Sequence, residues 1–106
     1  MVDQKYWNET PVFQHIPNTI GDGSATVTTA GTRVQLTSTS TPCIYAIVVA
    51  KNANTGVIWV GGSTVADGRG RPLVSLQAER IDIDDLSNIY IDADADNQGV
   101  TYAYVA

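Results

Sequence analysis

The residues of this chain that could carry out nucleophilic or acid–base chemistry are few and widely separated. The sequence contains one histidine, His15, and one cysteine, Cys43. A catalytic triad or a cysteine–histidine pair would have to use His15, which lies in an N-terminal segment without regular periodicity. Cys43 opens the most apolar segment of the chain, where a small buried side chain is expected rather than a reactive thiol. The sequence therefore predicts no catalytic site, and a single cysteine excludes an intramolecular disulfide.

The acidic run from Asp92 to Asn97, in which aspartates recur at every second residue, is the strongest indication of metal binding. Its spacing matches the start of an EF-hand calcium loop. The sixth position would then be Asn97 instead of glycine, and the twelfth would be Ala103 instead of glutamate. Aspartates at this spacing on a strand and turn can simply be solvated on one face. We therefore predict no metal and no cofactor, with a surface Ca²⁺ site completed by Asp82 or Asp84 as the alternative.

The charge of the chain excludes several classes of partner. Six Lys and Arg residues stand against eleven Asp and Glu residues, which gives a net charge of −5. Nucleic-acid binding requires clustered cations, and here only Arg69 and Arg71 lie close together in the sequence. No segment approaches the roughly 18 apolar residues of a membrane-spanning helix. We therefore predict neither a nucleic acid nor a membrane as partner.

The elements that position these residues are predicted to be short strands separated by turns. From Ala25 onward the pattern predicts about eight strands at a spacing of roughly 8–12 residues, with no segment of helical period. Without crossover helices the sheets must be mainly antiparallel. Residues 24–106 are therefore predicted to form one small antiparallel β-sandwich, jelly-roll-like in its number of strands. An immunoglobulin-like sandwich with Trp59 in its core is the alternative.

Three segments of this domain carry specific expectations. The apolar run Cys43–Ala50 fits either a central strand buried on both faces or a strand at an interface. Alternation along the last strand places Val100, Tyr102 and Tyr104 on one face. Residues 85–88 are compatible with either a short helical turn or a plain turn.

The first 23 residues differ from the rest of the chain and are predicted to form an extended arm. They combine Tyr6, Trp7 and Phe13 with two prolines, and no period of a strand or a helix runs through them. Aromatic side chains need a surface to lie on, which would be either the domain itself or a neighbouring subunit. Tyr6, Trp7 and Phe13 are therefore candidate assembly contacts, although a disordered terminus fits the same composition.

Trp59 is the fourth candidate assembly contact. It lies between Ile58 and Val60 in a predicted strand, so it points outward if its two neighbours face the core. An outward tryptophan is costly in a soluble monomer unless another surface covers it. A subunit interface is the first interpretation, a packed core position the second, and a platform for a sugar ring the third.

The later part of the chain combines a strand containing N-T-G-x-I-x-V-G, a later D-L-S-N-I-Y-I-D-A, and an aromatic final strand. The segments concerned are residues 28–36, 41–49, 54–63, 81–93 and 99–104. With this pattern the chain resembles small virion proteins of tailed phages. The resemblance covers residues 25–106 and leaves out the N-terminal arm.

The resemblance implies a non-catalytic structural protein of the virion, made in the host cytoplasm. Within that class it implies a capsid decoration (cement) protein, a homotrimer that binds the major capsid protein or another virion protein and stabilises the assembled head. The alternative is a carbohydrate- or receptor-binding module of the tail or baseplate, with exposed rings from Trp59 or Tyr45. An enzyme is the least favoured class, because the sequence assembles no catalytic set.

Overall fold

The computed structural model describes residues 16–106 and shows two antiparallel sheets of four strands each. The described part of the chain contains no α-helix, and one 3₁₀ turn spans Leu86–Asn88. This confirms the predicted all-β class. The strands are β1 Ile20–Val27, β2 Val34–Gln35, β3 Tyr45–Ala50, β4 Ile58–Gly61, β5 Arg71–Leu73, β6 Ala78–Asp82, β7 Tyr90–Ala93 and β8 Gln98–Val105.

The order of the strands follows one simple rule. Sheet one has the order β1-β8-β3-β6, and sheet two has the order β2-β7-β4-β5. The first strand therefore pairs with the last, the second with the seventh, the third with the sixth, and the fourth with the fifth. The chain is thus arranged as one long antiparallel ribbon, and the remaining pairs, β8 with β3 and β7 with β4, complete the two sheets.

Both sheets contribute one face to a common hydrophobic core, as in a β-sandwich. Alternation along the strands explains the arrangement, because every second side chain of a strand points to the same face. Trp59 is not part of this core. The core residues are Val27, Ala46, Val48, Ala50 and Val100 from sheet one, Ile58, Val60, Leu73, Ile91 and Ala93 from sheet two, and Leu36, Cys43, Leu86 and Ile89 from the connections.

Strand β3 is central in its sheet but buried on one face only. It lies between β8 and β6, and its inward residues Ala46 and Val48 are fully buried. Its outward residues are apolar too, and Ile47 keeps 38% of its surface exposed. The apolar run that begins at Cys43 therefore has an open apolar face, as expected for an interface strand, instead of burial on both faces.

Strand β1 begins at Ile20, so residues 20–23, which the sequence assigned to the arm, pair with β8. Two glycines in this strand face tyrosines across the sheet, Gly21 opposite Tyr104 and Gly23 opposite Tyr102. A methyl group on either glycine would overlap the opposing tyrosine ring. Both tyrosines pack against the core on the side of Val100, which confirms the predicted shared face.

The segment before β7 is a 3₁₀ turn held by one carboxylate. Asp85 accepts hydrogen bonds from the Ser87 amide at 2.9 Å and the Ser87 hydroxyl at 2.8 Å. It also accepts from the Ser40 hydroxyl at 2.6 Å and the Thr41 amide at 2.9 Å, so it ties the 38–42 connection to the turn. These bonds, the one from Ser40 first, hold the pKa of Asp85 well below its usual range.

We expect Asp85 to make the stability of the domain dependent on acid pH. A carboxylate whose pKa is lower in the folded state stabilises the fold above its unfolded pKa of about 3.9, and this contribution is lost as the pH falls towards the folded pKa. Asp85→Asn should therefore lower the melting temperature at pH 7, and the difference from the parent should shrink steadily below about pH 4. Thermal unfolding between pH 7 and pH 2 measures this, with Asp67→Asn in an exposed loop as the control. An equal difference at both pH values would contradict the assignment.

Candidate assembly surface

The outer side of sheet one is an apolar surface, named here the open face. It consists of the outward side chains of β1, β8, β3 and β6, which lie in three rows across the sheet. Direct cross-strand pairing defines these rows because residues opposite each other point to the same side. The rows are Ile20–Val105–Tyr45–Asp82, Asp22–Ala103–Ile47–Arg80 and Ser24–Thr101–Val49–Ala78.

The centre of the open face is apolar, and its charged residues lie on the edges, beside Ile20, Ser24 and Ala78. The two central strands present Val105, Ala103, Tyr45, Ile47 and Val49, with Thr101 as the polar exception. A shallow concavity of about 500 Å³ lies over this centre, lined in part by Ile47 and Val49. An apolar centre within a polar rim is the usual anatomy of a protein–protein interface.

The charged groups of the open face lie on its two edge strands. Asp22 is on β1, and Arg80 and Asp82 are on β6. The Arg80 Nε donates to Asp82 at 3.1 Å, and the Arg80 guanidinium lies 3.9 Å from the centre of the Tyr45 ring. Both members of this ion pair are largely exposed, so the pair contributes little to the stability of the isolated domain. Arg80 therefore remains available to a second charged group.

Trp59 lies on the outer side of sheet two, directly opposite Pro72 on β5 and Asp92 on β7. Ile58 and Val60 are buried, so the predicted outward orientation of Trp59 is confirmed. The indole ring is half-buried, and its Nε1 is enclosed without a hydrogen-bond partner among the described residues. A buried donor without a partner costs free energy. The interface role of Trp59 stays a prediction.

The acidic run at residues 92–96 anchors loops through backbone amides. Asp92 is buried and accepts from the amides of Gly31 and Ala93, at 3.1 and 2.7 Å. Asp94 accepts from the Val57 amide at 2.9 Å, and Asp96 accepts from the Ala30 amide at 2.8 Å. Within residues 16–106, no three acidic, histidine or cysteine side chains are grouped so that they could hold a metal ion.

A hydrogen-bonded hub at the start of β8 was not anticipated from the sequence. The buried amide of Gln98 accepts from the amides of Thr55 and Gly56, at 2.8 and 2.9 Å, and donates to the Asp96 carbonyl at 2.9 Å. Asn54 exchanges two hydrogen bonds with the backbone of Gly99, at 2.8 and 2.9 Å. These side chains fix the 51–57 turn against β8. No local sequence pattern around Gln98 or Asn54 predicts this role.

Cys43 is buried at the edge of the core, as predicted. Its thiol donates to the Ile83 carbonyl at 3.2 Å. Burial raises the pKa of this thiol, and the charges of Asp85 and Asp84 raise it further. A thiol with a raised pKa is a poor nucleophile at neutral pH, so Cys43 acts as a packing residue.

A second concavity opens between the two sheets on the side of β5 and β6. It has a volume of about 430 Å³, and Ile81 and Ile83 contribute apolar surface to it. Arg71 of sheet two and Glu79 of sheet one form an ion pair of 2.9 Å that joins the sheets at this opening. Its lining contains neither a histidine nor a cysteine. The cleft is thus a candidate for binding a small polar ligand.

The four candidate assembly residues do not come together in the described part of the structure. Tyr6, Trp7 and Phe13 lie outside the described residues, and Trp59 lies on a different sheet from the open face. Local sequence patterns do not predict the open face, because its rows result from the pairing register of four strands.

Comparison of the chain with protein-family models, with curated proteins and with solved structures gave no significant match. Among residues 16–106 there is also no helix of the length and apolar character needed to cross a membrane.

Proposed function

We propose that the protein is a non-catalytic structural subunit of a tailed-phage particle, a decoration protein that binds and stabilises the assembled head. Three observations support this: the sequence resemblance, the pairing rule of the eight strands, and the open apolar face. The strand order is the broadest of the three, because it is a property of the whole domain, and the other two connect it with a virion.

We further propose that the domain is a jelly roll. Pairing of the first strand with the last, and so on inward to the fourth with the fifth, is what results when one long antiparallel ribbon wraps into two facing sheets. Two Greek-key units of this kind are common in viral capsid and lectin domains. Fold alone does not assign a function, so the assignment to a virion also needs the resemblance and the open face.

The proposed mechanism is surface complementarity to the assembled shell. A protein that binds the assembled head, and not its free subunits, stabilises the assembled state by mass action. In this proposal the partner is the major capsid protein or another virion protein, and the decorating unit is a homotrimer. The aromatic residues Tyr6, Trp7 and Phe13 supply contacts to the shell, because large aromatic side chains dominate the energetics of interfaces.

The test of the proposed function is binding to heads of the phage that encodes the chain. We expect the double substitution Trp7→Ala with Phe13→Ala to weaken co-sedimentation with heads by at least about tenfold, since a single buried aromatic hot spot contributes about 2 kcal/mol or more. Its thermal unfolding should match that of the parent. Asp67→Asn serves as the control for non-specific effects. Normal binding by the double variant would contradict the role of the aromatic residues, and absence of binding by the parent would contradict the function.

A receptor- or carbohydrate-binding module of the tail or baseplate is the second candidate. The cleft bounded by Arg71 and Glu79 favours it, because charged groups at the rim of a cleft are suited to polar ligands. Neither ring is free to stack on a sugar, because Arg80 already stacks on Tyr45 and Trp59 is half-buried. Antibody–gold labelling of particles separates the two candidates: label over the heads supports decoration, and label at the tail tip supports receptor binding.

A further inference from the structure

We propose that the open face of sheet one is a two-fold interface through which a second copy of this chain docks. The proposal goes beyond the proposed function and does not depend on it, because it uses only the surface of the described domain. It is also compatible with a trimer formed through another surface, since two-fold and three-fold contacts combine in a closed assembly with an even number of copies. In the paired state the open face is occupied by the second copy, so the contacts to the shell in the proposed function come from Tyr6, Trp7 and Phe13.

The composition of the open face is that of an interaction site. Ile47 at its centre is 38% exposed, Ile20 at its edge is 76% exposed, and the neighbouring Ala103 is exposed as well. Cross-strand neighbours of these residues on the same face, Tyr45 and Val49 among them, extend the apolar surface across two strands. A contiguous apolar surface with a charged rim indicates a place where another molecule docks.

The middle row of the open face is complementary to itself in a two-fold arrangement, whereas the first row sets Ile20 against Asp82. Consider a two-fold axis that lies in the interface and runs along the strands, between β8 and β3. This rotation sets each row against its own reverse, so that β1 of one copy lies over β6 of the other. In the middle row Asp22 then faces Arg80 of the second copy, and Ala103 faces Ile47. Because the contact is isologous, the Asp22–Arg80 pair forms twice.

Sheet twist limits how much of the open face can align in such a pair. Two packed sheets cross at about 30°, so only the rows near the crossing point stay aligned. The Asp22–Arg80 row is the middle one of the three, and its charged ends lie at the rim of the contact. There the paired charges would select the register, while the apolar centre would supply most of the affinity.

The size of the face predicts a weak interaction. Four strands about 4.8 Å apart, each contributing about 20 Å of length, present roughly 400 Å² per copy. The total buried area is then roughly 800 Å², below the roughly 1,200 Å² of standard specific interfaces and in the range of weak, transient ones. Association should therefore be detected at high protein concentration and should be sensitive to the two charge pairs.

The self-complementary row favours a second copy over an unrelated protein as the occupant. An unrelated protein, or the aromatic N-terminal segment of the same chain, would have no reason to require opposite charges at Asp22 and Arg80 together. These occupants are therefore distinguished by charge exchange between two variants of the full-length chain.

The experiment uses Asp22→Arg and Arg80→Asp, first separately and then mixed in equal amounts, with sedimentation equilibrium as the measurement. Each variant alone places like charges in both pairs and should weaken the two-fold association by about tenfold or more. In the mixture, a heterodimer restores two opposite-charge pairs, so association should return to the parent level. Ile47→Lys tests the apolar centre and should also weaken association. Thermal unfolding of each variant shows whether it remains folded.

Three controls separate the outcomes. Neither Asp67→Arg nor Arg69→Asp should change association, because both residues lie in an exposed loop away from the open face. The full-length Trp7→Ala, Phe13→Ala variant should pair normally even if its head binding is weakened, so the two proposals fail independently. The pairing is overturned if the parent is monomeric at high concentration, if it forms only odd-numbered assemblies, or if mixing the two folded charge variants fails to restore association.

Discussion

Ile91→Ala is expected to lower the free energy of unfolding by about 3 kcal/mol, within the range of 2–5 kcal/mol found for truncation of buried aliphatic side chains. Ile91 is fully buried in β7, between β2 and β4 in sheet two. Its side chain belongs to the core that both sheets share, so its removal loses burial and leaves a cavity. Denaturant unfolding followed by circular dichroism measures the effect.

A graded series makes this result specific to the core. Ile91→Val removes one methylene and should cost about 1 kcal/mol. Ile20→Ala removes the same atoms as Ile91→Ala at a position that is 76% exposed and should change the stability by less than about 0.5 kcal/mol. Equal effects at the two isoleucines would mean that the two sheets do not share one core.

Gln98→Leu is expected to have the second largest effect, a loss of about 2 kcal/mol. The substitution keeps the approximate shape of the side chain but removes the acceptor for two backbone amides, those of Thr55 and Gly56. It also removes the donor to the Asp96 carbonyl. Buried polar groups that lose their partners cost about 1–3 kcal/mol each. Thr55 is exposed, so water can replace part of the lost hydrogen bonding, and the expected loss stays below the sum for three buried groups.

The matched control for Gln98 is another glutamine with a backbone partner. Gln77 accepts one hydrogen bond from the Val74 amide, but its side chain is exposed. Gln77→Leu should therefore change stability by no more than about 0.5 kcal/mol. Amide hydrogen exchange adds a local measurement, since Gln98→Leu should accelerate exchange at Thr55 and Gly56 in particular. Unchanged exchange at these amides would contradict the hub.

Alternation and turn residues were enough to predict most of the strands. The outward position of Trp59 follows from its two apolar neighbours, and the shared face of Val100, Tyr102 and Tyr104 follows from the period of a strand. The burial of Cys43 follows from its position at the head of an apolar run. Each of these properties depends on residues that are near one another in the sequence, and for that reason local patterns predict them.

The first strand is an element that local sequence patterns do not predict. Gly21 and Gly23 weaken the strand signal because glycine has low β-propensity and no side chain to pack. The structure nevertheless pairs both with β8, where the rings of Tyr104 and Tyr102 occupy the space that side chains of β1 would fill. This compensation comes from the opposite end of the chain, so no window around residues 20–23 contains it.

The acidic run illustrates the same limit for the candidate site. Its aspartates have the spacing of a calcium loop. Their carboxylates instead accept hydrogen bonds from three backbone amides of distant segments, those of Gly31, Ala30 and Val57. The row that joins Asp22 to Arg80 likewise depends on the register of four strands. Local alternation decides which side chains point away from the core. Only the long-range pairing of the strands decides which of them meet, because hydrogen bonding across a sheet joins residues that are far apart in the chain.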